Sequence, residues 1–426
     1  MSEKDNFIPP NIFFGAGYMV LPFNSLEFYK VPIKPEHELL RKVIRRYTEE
    51  SLSPIWKDIE LNDEIPKDIL SELAEQGFFA IGIPEKYGGQ GGDQISKMIV
   101  IEELSRVIPS LGVILDTTDF PVLALLLWGT EEQKNKFLPV IANGAAAAGA
   151  YTEPQAGSWV AGITTTAEEQ GDYYVINGRK IFISTIDYAK YIVVLARSQP
   201  TSRESPHKGM SLFIVENDSP GLIIGDKINT MSMRGDRPYE LIFDNMKVPR
   251  DHLIGKEGMG YYYTMILLNF TRINIAAQAV GIAQGAFEKA MDYSIKRDAF
   301  GKKIYQFESI SFKISDMFTK IQSARLLTYW AANLSEQQFK SPDKALPEVA
   351  LAGSVAKIFA TEAAEYCARQ AVQIHGGYGV DFETGIERYL RDSIVTTIYE
   401  GTNEIQRYII ARFLPQVMYN TKLPIG

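Results

Sequence analysis

The sequence is poor in the residues that form disulfides and zinc sites. It has one cysteine and four histidines in 426 residues. A single cysteine, Cys367, cannot form an internal disulfide, and such usage is typical of a reducing compartment, so we expect a cytoplasmic protein. The histidines are far apart and have no second histidine or cysteine at ligand spacing. We therefore expect no zinc site of the usual kind.

Phosphate-binding motifs and long apolar runs are also lacking. No P-loop occurs, and no GxGxxG follows a strand-like run. The richest apolar stretch, residues 122–128, is too short to span a membrane, and the N-terminus lacks the basic start and continuous apolar run of a signal peptide. The net charge is −8 with 23% charged residues, which disfavours a nucleic-acid partner.

The length predicts two or three domains, and 46% hydrophobic residues suffice for sizeable cores. Residues 1–34 place many aromatic side chains among acids, prolines and glycines, and we interpret them as an arm laid on the protein body or on a neighbouring subunit. Residues 35–145 are predicted to form a helical domain. Its helices cover about 36–46, 94–106 and 110–128, and a capping box of Thr130 and Gln133 begins another.

The pattern then changes twice. Residues 146–255 contain short strand-like runs and are predicted to form a β-barrel-like domain, with a hairpin turn at Asn177-Gly178. Residues 256–426 return to the helical period, with patterns over 259–296, 305–339 and 347–374 and a shorter one after Thr402. Four such helices predict an antiparallel bundle. The predicted fold class is thus multi-domain: an N-terminal α domain, a middle β domain and a C-terminal four-helix bundle.

Glu400 is the candidate catalytic residue. It precedes a glycine and Thr402, a good N-cap, so we place it in a loop at the N-terminus of a helix. Its apolar neighbours Ile398 and Tyr399 raise the pKa of a carboxylate, and a helix N-terminus lowers it. A general base that works near neutrality is commonly poised by such opposed influences. The alternative is a solvated loop glutamate.

Four separate motifs now occur in one order. They read YTEPQAGS at 151–158, RDAFGK at 297–302, QIHGGYG at 373–379 and YEGTNEIQR at 399–407. With the α–β–α order, they make residues 36–414 resemble the acyl-CoA dehydrogenase family. The resemblance implies FAD-dependent desaturation of an acyl-CoA between Cα and Cβ, in which a base takes the α-proton and flavin N5 takes the β-hydride.

The resemblance also implies roles for the residues near the reacting carbons. Glu400 matches the family's base, and its backbone N–H is expected to help bind the thioester oxygen. A subset of the family places this glutamate just before an arginine on a bundle helix, where this sequence has Thr271 ahead of Arg272. A threonine cannot act as this base. The assignment therefore stays with Glu400.

The FAD site implied by the resemblance draws on every motif. Ser184 stands where the family usually has a threonine that hydrogen-bonds flavin N5, and Phe182 stands where many members have a tryptophan on the flavin face. Arg297 offers a fixed fork of donors for phosphate. The remaining matches are Tyr151, Thr152, Ser158, Phe300, Gln373, Gly376, Gly377, Thr402 and Glu404, of which residues 373–377 are expected to reach FAD in a neighbouring subunit. Standing alone, Arg297 could be salt-bridged and Gly376-Gly377 a plain helix end.

The acyl-CoA side is expected to involve Ser158, Asn269, Arg272 and Gly401. Trp159 departs from the family's aspartate. Asp116 falls on the helix that lines the far end of the acyl pocket. Either it is hydrogen-bonded or solvent-facing beside an ordinary short or medium chain, or it meets a polar or cyclic acyl end, with Asp119 as a possible second contact. The bulky residues 120–128 favour short, branched or cyclic acyl groups over long ones.

The implied partners are an acyl-CoA substrate, an electron-transferring flavoprotein as acceptor, and three further copies of the chain in a homotetramer. Two other interpretations share the fold. One is a small acyl-CoA oxidase that uses O2, and the other is a non-catalytic assembly factor. The intact Glu400, Ser184 and Arg297 count against the assembly factor, because a protein without catalysis needs no base.

Overall fold

The computed structural model describes residues 30–419 and residue 421. Most of the arm predicted over residues 1–34 lies outside the described residues. The described chain begins in an extended segment that leads directly into the first helix.

The N-terminal domain is helical, as the sequence predicts. Local capping sets two helix starts: the Asp93 carboxylate accepts from the Ser96 N–H at 2.9 Å, and Thr130 and Gln133 form the predicted capping box. The buried acids Glu102 and Glu103 are neutralised by arginines, including Arg41. The helices are α1 Pro35–Tyr47, α2 Trp56–Asn62, α3 Lys67–Glu75, α4 Gln94–Val107, α5 Pro109–Trp128 and α6 Glu131–Ala142.

The middle domain is built on one eight-stranded sheet. The strands are β1 Ala146–Ala150, β2 Thr166–Gln170, β3 Tyr173–Ile183, β4 Ala189–Arg197, β5 Met210–Glu216, β6 Leu222–Lys227, β7 Tyr239–Pro249 and β8 Leu253–Ile254. Their spatial order is β6-β7-β3-β2-β4-β5-β8, and β1 pairs parallel to β4. Because β1 lies beside β4 at the centre of the sheet, the 151–158 motif leaves the sheet next to the N-terminal helices.

The hairpin predicted at Asn177-Gly178 is wrong. Strand β3 runs straight through this dipeptide and pairs with β2 on one side and β7 on the other. The register with β7 shifts between Ile176 and Gly178, so the glycine marks a β-bulge. A Cβ at Gly178 would lie 2.4 Å from Thr165 Oγ1, which shows that the glycine is needed for close packing and not for a turn.

The C-terminal domain is a helical bundle with one more helix than predicted. It contains α7 Gly260–Lys296, α8 Glu308–Ser335, α9 Pro347–His375, α10 Glu387–Thr396 and α11 Asn403–Tyr419, and a short hairpin of β9 Asp298–Ala299 and β10 Lys302–Lys303 follows α7. Helix α9 packs against α7, α8 and α11. The added helix, α10, leads directly into the loop that carries Glu400.

Two helices, Pro109–Trp128 and Gly260–Lys296, are long and apolar enough to cross a membrane by length and composition. The apolar stretch of the first is therefore longer than the run of 122–128 considered from sequence. In the most apolar part of Pro109–Trp128, 78% of the residues are buried inside the protein, and in that of Gly260–Lys296 the share is 89%. Both helices are core elements that connect the domains around the candidate site.

Candidate active site

Glu400 lies in the loop between α10 and α11 and has a left-handed backbone, with a φ of 52°. Thr402 caps α11, since its hydroxyl accepts from the Ile405 N–H at 3.3 Å. The Lys357 ammonium donates to the Gly401 carbonyl at 3.0 Å and to Asn403 Oδ1 at 3.1 Å, which fixes the loop from α9. The left-handed backbone of Glu400 is a strained conformation for a residue other than glycine. It persists only where the surrounding structure holds it, as at many functional sites.

The carboxylate of Glu400 points to helix α7. Thr271, which is completely buried, donates its hydroxyl to Glu400 Oε2 at 2.8 Å. The next residue, Arg272, is 4% exposed, and its Nη1 donates to Asn269 Oδ1 at 3.0 Å. Glu400 itself is half-buried, so the alternative of a solvated loop glutamate is wrong. The structure thus brings the predicted residues Glu400, Gly401, Arg272 and Asn269 together.

Burial governs the charges around this carboxylate. Burial raises the pKa of Glu400, and the Thr271 hydrogen bond, Arg272 and Lys357 oppose the increase. Burial also lowers the pKa of Lys357 to about 7 and that of Arg272 to about 10. The sequence predicted that opposed influences act on the pKa of Glu400, and they are present. The groups that lower this pKa are Thr271, Arg272 and Lys357, which lie elsewhere in the chain, and not the helix N-terminus that the sequence suggested. A carboxyl with a raised pKa and nearby cations can accept and release a proton.

Asp116 is a second buried carboxyl near Glu400. It lies on α5, is 2% exposed and accepts from Asn274 Nδ2 at 2.9 Å. The same Nδ2 donates to Asp119 Oδ2 at 3.0 Å, and Asp119 forms an ion pair with Lys97 at 2.7 Å. Burial and the charge of Glu400 raise the pKa of Asp116 well above its ordinary value. Asp116 is therefore hydrogen-bonded and does not face solvent.

An ion pair missed by the sequence analysis fixes the first motif. Lys180 and Glu153 are both buried and lie 2.8 Å apart, and the Lys180 ammonium also donates to the Tyr151 carbonyl at 3.0 Å. The Thr152 carbonyl accepts from the Ile181 N–H at 2.9 Å. These contacts hold the loop of Tyr151 and Thr152 against the end of β3. An acid in a Thr-Glu-Pro turn and a lysine inside a buried strand were the available sequence signals.

The end of β3 presents an aromatic face beside a polar group. Phe182 has a φ of 58° and is 57% exposed, although it is a large apolar side chain. Ser184 lies two residues further on, and buried Asp236 accepts from the Thr185 N–H at 3.0 Å. Burial raises the pKa of Asp236 to about 7, while the Ser184 side chain opposes the increase. Asp236 was not singled out from sequence, because nothing near it in the chain resembles a site.

The other predicted FAD residues lie in a second group. The Arg297 guanidinium carbon lies 5.9 Å from the centre of the Tyr378 ring, which joins the motifs at 297–302 and 373–379. Arg297 is exposed and forms no ion pair with the described residues. Phe300 is 96% exposed. Gly376 ends α9 with a φ of 62°, and a Cβ at Gly376 or Gly377 would meet no described atom within 4 Å.

The remaining predicted residues are placed without a decisive contact. Gln373, Ser158 and Glu404 are exposed, and Thr402 acts as the helix cap described above. Trp159 is 63% exposed and packs on Gly162, whose Cβ would lie 2.5 Å from its ring. The Trp159 ring therefore closes on its own loop, which explains how this large residue is accommodated.

These residues fit a cofactor with a planar apolar ring and an anionic tail. The exposed ring of Phe182 offers a stacking face, and Ser184, whose side chain interacts with Asp236, lies two residues further along the chain. Arg297 offers a guanidinium without an acidic partner in the described chain, next to glycines that leave room for close approach. FAD has this combination of an isoalloxazine ring and a pyrophosphate.

Three family models match the chain. They are described as acyl-CoA dehydrogenase N-terminal domain over residues 34–145, middle domain over residues 148–246 and C-terminal domain over residues 258–414. The chain belongs to the acyl-CoA dehydrogenase family. The family and the three-part fold predicted from the motifs are thereby confirmed.

Relatives of known sequence cover nearly the whole chain. An acyl-CoA dehydrogenase of Bacillus subtilis is 41% identical over 90% of this chain and 98% of its own. A 3-(aryl)acrylate reductase of Clostridium sporogenes is 39% identical over 88% of this chain and 97% of its own. The caffeyl-CoA reductase-Etf complex subunit CarC of Acetobacterium woodii is 38% identical over 89% of this chain and 98% of its own.

Solved structures agree with the same family. Butyryl-CoA dehydrogenase of Megasphaera elsdenii superposes with a TM-score of 0.84 at 34% identity and covers 90% of this chain and 99% of its own. An acyl-CoA dehydrogenase of Bacillus anthracis in complex with FAD superposes with a TM-score of 0.83 at 31% identity, over 92% of this chain and 70% of its own. This acyl-CoA dehydrogenase family member is an FAD-dependent oxidoreductase, as the sequence predicts.

Proposed function

We propose that this enzyme dehydrogenates an acyl-CoA thioester between Cα and Cβ to the 2-enoyl-CoA, with Glu400 as the base. The observation that carries the proposal is the half-buried Glu400 carboxylate, held by the buried Thr271 hydroxyl beside Arg272 and Lys357. The α-proton of a thioester is weakly acidic, so its removal needs a base of raised pKa and stabilisation of the enolate oxygen.

The chain's own residues perform the proton step. Glu400 receives the α-proton, and Thr271 keeps the carboxylate oriented toward α7. Arg272 and Lys357 moderate the negative charge before the transfer. The Glu400 backbone N–H is assigned to the thioester oxygen, where it stabilises developing negative charge. The chemistry that FAD supplies when bound is acceptance of the hydride from Cβ.

A second candidate function is the reverse reaction, reduction of an enoyl thioester. Two relatives carry reductase names, and the raised pKa of Glu400 makes its carboxyl easier to protonate, as the return of a proton to Cα requires. The same residues serve both directions, since a general acid in one direction is the general base in the other. The direction then depends on the potential of the electron partner and not on a different catalytic residue.

Anaerobic mixing of the holoenzyme with acyl-CoAs tests the proposal. Flavin bleaching by butyryl-CoA or cyclohexanecarbonyl-CoA, and reoxidation of the reduced enzyme by the matching 2-enoyl-CoA, both support the thioester redox step. The direction that runs in turnover with the electron partner distinguishes the dehydrogenase from the reductase. An absence of any flavin change with all thioesters contradicts both functions.

We propose that the acyl group is short, branched or cyclic. The Phe120 and Tyr151 rings are 5.0 Å apart, and the pKa of Tyr151 is raised partly by the charge of Glu400, so these rings stand near the base. Bulky side chains near the base leave less room for a long chain. Comparing kcat/KM for butyryl-, octanoyl-, palmitoyl- and cyclohexanecarbonyl-CoA checks this, and a maximum at palmitoyl-CoA contradicts it.

The proposed electron acceptor is an electron-transferring flavoprotein. One relative is a subunit of an Etf complex, which supports this partner for the present chain. A small oxidase is distinguished by rapid reoxidation in O2 alone. An assembly factor is distinguished by absence of flavin reduction with any thioester. Cytoplasmic location remains a prediction from the single cysteine.

We also propose a homotetramer in which residues 373–377 complete the FAD site of a neighbour. Arg272 lies within the continuous helix α7, and Arg297, 25 residues later, caps the C-terminal end of that helix. At about 1.5 Å per residue they are separated by about 37 Å, farther than one FAD reaches. In this proposal, Arg297 and Gln373–Gly377 therefore bind the FAD of another subunit. In an oligomer with closed symmetry, that subunit contributes the same residues to the FAD site of its own neighbour.

A further inference from the structure

A row of three buried polar side chains on α7 contacts the Glu400 loop and the acids of α5. Thr271, Asn274 and Gln278 share one face of the helix and are 0%, 0% and 1% exposed. Thr271 binds Glu400, and Gln278 accepts from the Tyr399 hydroxyl and donates to the Pro109 carbonyl at 2.8 Å. Asn274, between them, is the member that binds the acids of α5.

The hydrogen bonds of Asn274 are incomplete. Its Nδ2 donates to Asp116 Oδ1 and to Asp119 Oδ2, and Asp119, which is ion-paired with Lys97, holds the amide in this orientation. Its Oδ1 is buried and has no partner among the described residues. Leaving a buried acceptor without a donor is unfavourable. The cluster therefore lacks one donor.

Asp116 is also less well satisfied than its neighbour. Asp119 has both Asn274 and the Lys97 ammonium, whereas Asp116 has one hydrogen bond, from Asn274, in the described part of the chain. Glu400 and Asp119 add negative charge nearby, and burial disfavours ionisation. A neutral Asp116 carboxyl carries an O–H donor in addition to its acceptor oxygens. The site thus offers one donor and one open acceptor.

We propose that Asp116 and Asn274 bind a hydroxyl group carried on the acyl part of the substrate. A hydroxyl is the smallest group that accepts from the Asp116 O–H and donates to Asn274 Oδ1 at once. A purely apolar acyl end leaves Asn274 Oδ1 unsatisfied, while an ammonium group has no lone pair for the Asp116 donor. The inference rests on the proposed function, because it takes Glu400 to mark the position of Cα.

Equilibrium binding to the holoenzyme tests this inference without turnover. The probes are pairs of 2-enoyl-CoA products with and without a terminal hydroxyl, crotonyl- against 4-hydroxycrotonyl-CoA and 2-hexenoyl- against 6-hydroxy-2-hexenoyl-CoA, and the corresponding ω-ammonium esters. We expect the hydroxylated member of at least one pair to bind 10-fold tighter or more by calorimetry. In Asp116→Ala this ratio should fall to about one, and in Asp116→Asn, which keeps a donor, it should persist in part.

Controls separate the inference from the proposed function. Asp392→Asn replaces another buried aspartate, which accepts from the Met233 N–H at 2.7 Å and has no hydrogen bond to Asp116 or Asn274 in the described chain, and it should keep the wild-type ratio. Equal binding within every pair, or tightest binding of an ammonium ester, overturns the inference and leaves the proposed function intact. Absence of binding by all thioesters overturns the proposed function as well. Even if Asp116→Ala does not fold, comparing the binding of hydroxylated and unhydroxylated thioesters to the wild-type enzyme tests the inference.

Discussion

The Thr271 hydroxyl donates to the Glu400 carboxylate at 2.8 Å, across 129 residues of sequence. This hydrogen bond ties the middle of α7 to the loop between α10 and α11. It places a hydroxyl where a subset of the family has its own glutamate, so the two possible positions of the base face each other. Thr271 therefore acts as a positioning residue for Glu400.

Glu400→Gln should retain FAD and still bind acyl-CoA, but reduce flavin several orders of magnitude more slowly than wild type. The side chain is nearly isosteric, so packing survives while the base is lost. Anaerobic stopped-flow measurement of flavin bleaching checks this. Glu365→Gln, which changes an exposed acid on α9, should behave as wild type. Near-wild-type reduction by Glu400→Gln disproves the assignment.

Thr271→Val should shift the pH profile of flavin reduction to higher pH. The hydroxyl stabilises the ionised carboxylate, so its loss raises the pKa of Glu400 further and the base forms only at higher pH. Thr264→Val is the matched control, because Thr264 is buried on the same helix but bonds the Gly260 carbonyl at 2.8 Å. An unchanged profile in Thr271→Val contradicts the positioning role.

Lys180→Met should destabilise the middle domain by about 3–5 kcal/mol, because it leaves the buried Glu153 carboxylate without its cation. Lys180 and surrounding hydrogen bonds hold the pKa of Glu153 at about 2, so the carboxylate stays charged at neutral pH. Denaturant unfolding checks the loss. Lys190→Met breaks an exposed pair with Asp218 at 3.7 Å and should cost no more than about 1 kcal/mol. Equal losses in both variants refute the role of burial.

Asp236→Asn should flatten the dependence of stability on pH. The folded pKa of Asp236 is about 7 against an ordinary 3.8, so the folded state keeps a proton that the unfolded state releases. Wild-type stability should therefore fall as pH rises from about 4 to about 7, by a few kcal/mol at about 1.4 kcal/mol per pKa unit.

An asparagine stays neutral and still accepts from the Thr185 N–H, so the variant should gain stability relative to wild type between pH 5 and pH 8. Unfolding at the two pH values measures the difference. Asp218→Asn, at an exposed aspartate, should change stability equally at both. A parallel shift of the Asp236→Asn curve at both pH values contradicts the prediction.

Dilution of the holoenzyme to monomer should release FAD if, as we propose, Arg297 and residues 373–377 serve a neighbouring site. Analytical ultracentrifugation with flavin absorbance follows mass and cofactor together. Arg297→Ala should weaken FAD retention, since it removes the guanidinium from the pyrophosphate side. Lys296→Ala, which removes a neighbouring exposed cation already paired with Asp292, should not. A stable monomer that keeps FAD rules out this assembly.

Features set by neighbours in sequence were predictable. The helix starts at Gln94 and Glu131 follow from the caps Asp93 and Thr130, because capping hydrogen bonds span only three residues. The motifs also identified the family and its cofactor, because they are contiguous strings. The position of Glu400 before the cap Thr402 was read from the same local signal.

Only the tertiary structure decided how distant segments meet. Asn177-Gly178 is a turn signal by itself, yet pairing with β2 and β7 on both sides keeps it inside a strand, since ladder hydrogen bonds and packing outweigh local preference. The partners of Glu400 and Asp116 come from α7, 129 and 158 residues away. Burial beside these partners, which no local pattern reports, sets the charge of both carboxyls.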